Sequence, residues 1–161
     1  LMSEIHVRLP DGRDLALPSG AGALVAAEKI GPGLAKAALA GRVDGRLVDL
    51  RAPLADGVAL EIVTAKDPAG GEVIRHSAEH VMADAVKRLF PSAQVDVGRT
   101  DHREKFQYDF LVERAFTPED LARIEEEMAR IVAEKSPFVR EVVDRDEARR
   151  LFARLGEELK L

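Results

Sequence analysis

Ile5-His6-Val7-Arg8-Leu9-Pro10-Asp11-Gly12-Arg13-Asp14-Leu15-Ala16-Leu17 decides how the first third of the chain folds. Ile5, Val7 and Leu9 fall on one face, with His6 and Arg8 on the other. A period of two is that of a half-buried strand, and Asp11-Gly12 supplies the turn, so the stretch predicts a hairpin with His6 solvated. Outward from it, Ala21 to Ile30 places Leu24, Ala27 and Ile30 at helical spacing, and Gly31-Pro32-Gly33 stops that helix. Arg42-Val43-Asp44-Gly45-Arg46-Leu47-Val48 predicts a second hairpin. Val58 to Val63 predicts a closing strand with Leu60 and Ile62 inward. Hairpin, helix, hairpin and final strand is the order of a β-grasp, ubiquitin-like fold, with the helix covering one face of the sheet.

Lys66-Asp67-Pro68-Ala69-Gly70-Gly71 is dense in turn and breaker residues, and the apolar period changes directly after it. The expected organisation is therefore a first domain over 1–66, a linker over 67–71 and a second domain over 72–161. Glu72 to Phe90 reads as a helix with Ile74, Ala78, Val81, Met82, Ala85 and Leu89 as its apolar stripe, ended by Pro91. Gln94 to Val97 predicts a strand, and Phe106, Tyr108 and Phe110 alternate along another. Thr117-Pro118-Glu119-Asp120 carries a capping hydroxyl, a first-turn proline and a capping-box acid. It opens a helix with Leu121, Ile124, Met128 and Ile131 inward. Pro137 to Val143 predicts a strand, and Asp144 with Glu147 caps a last helix running through Leu155 to Gly156. The fold class is α+β.

Composition narrows the function classes. The chain is 46% hydrophobic and 33% charged, the balance of an ordinary globular protein. It contains no cysteine, which excludes disulfides and thiolate metal sites. Its apolar runs are short and broken by charge, and its start lacks a signal-peptide pattern, so no membrane span and a cytoplasmic location are expected. Basic and acidic side chains stand at 8 against 9 up to Gly70 and 16 against 20 beyond it, so any contact with nucleic acid has to be local or belong to a partner domain. Leu1 ahead of Met2 reads as a residue upstream of the natural start.

His76-Ser77-Ala78-Glu79-His80 puts two imidazoles four positions apart on one helix face, roughly opposite the apolar stripe. Spacing alone leaves three readings open: solvated helix histidines, a metal pair, or a pair that moves protons or orients a water. In the metal-hydrolase pattern a glutamate follows the first histidine, whereas here Glu79 precedes the second, and no third ligand is placed by motif. His102, between Asp101 and Arg103, reads as a loop residue, and Tyr108 as a sheet residue whose hydroxyl can reach a cleft. Gly31-Pro32-Gly33 and Gly70-Gly71 lack the spacing and lysine of a phosphate loop and read as turn punctuation.

Ile30 to Ala37, followed by Gly41 to Asp49, resembles the TGS domain of bacterial threonyl-tRNA synthetases. Ile74-Arg75-His76-Ser77-Ala78-Glu79-His80 resembles the opening of the editing domain of that family. Phe116 to Met128, Pro137-Phe138 and Glu147-Ala148 continue in register. The resemblance implies a β-grasp TGS domain followed by an α+β editing-type domain that is incomplete at its carboxyl end. The resemblance further implies that the family's later Cys-x-x-x-His and its aminoacylation core would lie beyond Leu161. It also implies a site that hydrolyses serine mischarged on threonine tRNA, with His76, His80 and Lys160 as catalytic residues, Tyr108 and Asp109 as substrate-binding residues and no metal in this segment.

For the whole ligase the resemblance implies ATP, magnesium and zinc in the absent catalytic domain, threonine tRNA as partner, and a homodimer formed through absent domains. Gly98-Arg99 and Lys105-Phe106-Gln107-Tyr108-Asp109 depart from the family's Gly-Pro and Gly-Phe-Tyr-Tyr-Asp by one extra residue and approach the related alanyl-tRNA editing domain. Two alternatives stand beside the editing reading: a non-catalytic module that binds RNA or protein, and a free-standing aminoacyl-tRNA deacylase relative.

Overall fold

The computed structural model describes residues 3–161; Leu1 and Met2, and with them the expectation about an upstream start, lie outside the described residues. The chain divides into two compact units, one up to Ile74 and one from Arg75 onward.

In the first unit, β1 (Glu4–Arg8) and β2 (Asp14–Pro18) pair antiparallel, with Ile5 opposite Leu17 and Val7 opposite Leu15. Gly12 turns the chain at φ 84°, a left-handed position open to glycine at little cost. β3 (Ala38–Val43) and β4 (Arg46–Val48) form the second hairpin through Asp44-Gly45, and β5 (Leu60–Thr64) pairs antiparallel with the other edge of β3. Arg8 bridges Ala59 in parallel, and its N–H donates to Val58 O at 2.9 Å. That parallel joint links the first hairpin to the other three strands, as the β-grasp order requires.

The apolar faces meet helix α1 (Ala23–Ile30) in a core of Ile5, Val7, Leu17, Ala23, Ala26 and Leu60. The buried side of α1 is Ala23, Ala26 and Ala27 rather than the expected Leu24, Ala27 and Ile30, and Ile30 is exposed. Small alanines let the helix lie close to its neighbours. The helix does stop at Gly31, but Pro32 then occupies the first position of a short second helix, α2 (Pro32–Ala37), where its fixed φ suits helix entry.

The stretch expected as a linker is mostly helix. α3 spans Pro68–Leu89, so Pro68 to Gly71 form its first turn. Asp67 accepts the Ala69 N–H at 2.9 Å and pairs with Arg42, which supplies a local start signal for the helix. Gly70 serves close packing here and not turn geometry: a Cβ at this position would stand 2.1 Å from Thr64 O.

In the second unit, Ala85 and Val86 of α3 pack with Ala93, Ile124 and Ile131, and with the partly buried Met82, Leu89, Phe110, Phe116 and Met128. Ile74, expected on this stripe, is exposed. β6 (Gln94–Gly98) and β7 (Tyr108–Leu111) pair antiparallel with a register shift between Val95 and Gly98. α4 (Pro118–Glu134) opens with the predicted capping box: Thr117 accepts the Asp120 N–H, and Asp120 accepts the Thr117 N–H at 2.9 Å. Arg114 chiefly, and then the Thr117 N–H, hold the Asp120 carboxyl well below the usual carboxylate range. Ile124, Met128 and Ile131 face inward as expected, but Leu121 is exposed, because the buried row continues into Asp120. Thr117→Ala should lower stability by about 1 kcal/mol, read as a lower urea midpoint with an unchanged slope.

Pro137 to Val143 is not a strand. Val139 and Val142 stand exposed, and no strand among the described residues offers this stretch a hydrogen-bond ladder. α5 (Arg145–Leu155) follows, capped by Asp144 as expected and closed at Gly156 with φ 69°. A 3-10 turn, Glu158–Lys160, completes the unit. No helix among the described residues is long and apolar enough to cross a membrane.

Candidate functional site

The second unit gathers its chemistry around the exposed edge of α3. One helical turn separates His76 from His80, and their Nε2 atoms stand 3.1 Å apart. At that separation one ring nitrogen carries a hydrogen and the other accepts it. The Tyr108 hydroxyl lies 3.4 Å from His80 Nδ1, so the three groups form a short chain. Two neutral hydrogen arrangements satisfy it. Either Tyr108 O–H donates to Nδ1 while His80 Nε2–H donates to His76, or every donor in the chain is reversed. Such a chain can take up a proton at one end and release one at the other.

Electrostatics favour neutral groups here. Partial desolvation pushes the His80 imidazole below its ordinary value, and charge on His76 pushes the same way, ahead of the opposing pull of Glu79. Burial, and then the Glu79 charge, raise the Tyr108 phenol. His80 is therefore a free base at neutral pH and Tyr108 a neutral hydroxyl.

Lys160 reaches the same neighbourhood from the far end of the unit. Lys87 Nζ binds Glu157 at 2.8 Å, and the Glu158 N–H donates to the Gln94 side chain at 3.0 Å, which pins the 3-10 turn beside β6. Lys160 Nζ then donates to Asp96 O and stands 6.0 Å from the centre of the Tyr108 ring. His76, His80, Tyr108 and Lys160 are thus brought together. Asp109 is not. Strand alternation turns it to the opposite side of β7 from Tyr108, where it is exposed and accepts from the Gln107 side chain at 3.4 Å.

Two residues of the site escape sequence reasoning. His102 is a loop residue, as expected, but it is buried, with its ring stacked on His76 at 4.4 Å between centroids. Its Nε2 lies 2.9 Å from Glu79 Oε2, and Glu79 is only 2% exposed. Burial pushes the Glu79 carboxyl up, yet the Gln107 N–H, the His102 ring and the Arg99 N–H outweigh it and leave Glu79 below its ordinary value, as a buried carboxylate. Glu79 lies one position before His80 in the motif, but nothing in the linear pattern shows that it points inward. Among the described residues no three of His, Asp and Glu converge on a metal position.

Residues 5–64 match the TGS domain family. Over its full 161 residues the chain is 52% identical to the threonine–tRNA ligase of Symbiobacterium thermophilum, of which it covers 25%. It is 49% identical to that of Geobacter sp. strain M21, with 99% of the chain and 25% of the relative aligned. For the threonine–tRNA ligase of Nitrosomonas eutropha the identity is 51%, over 96% of the chain and 24% of the relative. A β-grasp unit that matches the TGS family, followed by an α+β unit, makes this a TGS-bearing chain. Over almost its whole length the chain matches the amino-terminal region of threonine–tRNA ligases. It spans about a quarter of the length of the curated relatives it matches.

Proposed function

We propose that residues 72–161 are the first part of an editing domain that hydrolyses serine from mischarged threonine tRNA, while the TGS domain contributes to tRNA binding. The observation that carries this reading is the 3.1 Å contact between His76 and His80, continued to the Tyr108 hydroxyl. Ester hydrolysis needs a positioned water, a proton acceptor and a cation near the oxyanion that develops. Neutral His80 takes a proton from the water as its oxygen attacks the ester carbonyl carbon, and His76 shares that proton through the paired ring nitrogens. Lys160 supplies positive charge beside the developing oxyanion. Collapse of the tetrahedral species breaks the bond to the ribose oxygen, which leaves with the shared proton, so serine and uncharged tRNA are released. Tyr108 orients His80. Asp109, on the other side of β7, binds substrate only from that side.

Serine is smaller than threonine, so a threonine pocket cannot reject it strongly by size, and a second hydrolytic site restores fidelity. In the whole ligase we place ATP, magnesium and zinc in an aminoacylation domain, which also carries the homodimer contact, and the enzyme in the cytoplasm. The test is deacylation by the intact ligase that carries this chain. Seryl-tRNA should be hydrolysed and threonyl-tRNA spared; a seryl-tRNA half-life equal to that without enzyme would overturn the reading.

A further inference from the structure

Behind the His76–His80 pair lies an assembly that the proposed reaction does not itself use. Glu79 leaves α3 toward the interior, between the two histidines in sequence, and is almost wholly buried. A buried carboxylate is costly unless every lone pair is served. Glu79 is served by the His102 ring at 2.9 Å and by the Gln107 N–H at 3.2 Å. The chain makes room for it at Gly98, where an added Cβ would stand 2.0 Å from Glu79 Oε1. The loop carrying His102 is clamped separately: Arg75, one residue before His76, donates through Nε to His102 O and through Nη2 to Arg103 O, the latter at 2.6 Å. His102 thereby presents a fixed face, and His76 lies on it with only 18° between the ring planes.

We propose that Glu79 and His102 are positioning residues, which together hold the His76 ring so that its Nε2 meets that of His80. A side chain on an exposed helix edge has several rotamers. Flat contact with an anchored ring removes most of them, and the bond to a carboxylate is what anchors that ring. The paired glutamate and histidine thus act through His76 and touch neither the ester nor the water. The carboxylate also keeps negative charge beside the histidines, which assists the pair in holding a proton in transit.

The inference rests on the editing reading for its effect on rate, but its structural content is tested independently. Two variants keep the volume of the site: Glu79→Gln removes the charge, and His102→Gln retains a donor toward Glu79 but no ring. In nitrogen-15 spectra of the histidine rings of this chain, both should shift the His76 ring signals. In the intact ligase, kcat for seryl-tRNA hydrolysis should fall roughly ten- to hundredfold while KM moves less than about twofold. Unchanged His76 ring signals in the folded variants would overturn the proposal. So would a lower melting temperature accompanied by an unaltered kcat per folded molecule, since that is the signature of a pair that only stabilises. A wild-type ligase without deacylase activity would remove the editing reading, and the ring signals would still decide whether Glu79 and His102 position His76.

Discussion

Replacing His76 and His80 together with alanine is expected to slow seryl-tRNA hydrolysis by at least about a hundredfold, the lower end of what a positioned proton acceptor contributes. Aminoacylation by the same ligase should be unaffected. The expectation follows from geometry: with the Nε2 atoms 3.1 Å apart, loss of either imidazole removes the contact through which the pair shares a proton. Because the two rings share a proton, each single variant should lose nearly as much as the double one. The pH dependence supplies a second readout. His80 sits below its ordinary value, so its basic form persists to lower pH than that of a free imidazole. Hydrolysis should hold steady as pH falls through the ordinary histidine range and decline only below it, with rate lost on protonation. Measured rates for the double variant that match the wild type across that range would remove the pair from the mechanism.

Gly98→Ala is expected to damage stability and the site together. Its Cβ would approach Glu79 Oε1 to 2.0 Å and Tyr108 Cε1 to 2.8 Å, and neither neighbour is free to retreat. Glu79 is held by His102 and the Gln107 N–H, and Tyr108 is a strand residue whose backbone is paired opposite Gly98 itself. Overpacking of this kind costs about 1–3 kcal/mol. Movement of Glu79 would also free the ring beneath His76. A lower melting temperature should therefore appear with a fall in seryl-tRNA hydrolysis that exceeds the loss of folded protein. A variant with wild-type stability would show that the 98 position has more room than this packing allows.

The β-grasp unit was largely legible because its signals are local. Asp11-Gly12 and Asp44-Gly45 fix two hairpins by backbone preference, and alternation of apolar residues assigns the strand faces. The Thr117–Asp120 capping box was equally plain, because both hydrogen bonds join residues three apart. Where the reading failed, a distant partner decided. Gly70 looked like a turn residue until the carbonyl of Thr64 explained it as part of a helix. Pro137 to Val143 carries the valines and phenylalanine of a strand, but a strand is defined by a neighbour, and none among the described residues pairs with it.

The paired histidines show the same division within the site. Their spacing, a matter of helical repeat, was set by sequence alone, and so was the placement of Tyr108 on a strand. That His102 lies under His76, that Glu79 turns inward to bind it, and that Asp109 faces away were settled only by tertiary structure. Residues 76 and 102 share no periodic element, so no repeat relates them. What brings them together is the antiparallel return of β6 and β7 and the Arg75 clamp on the intervening loop, contacts between positions some twenty-seven residues apart in the chain.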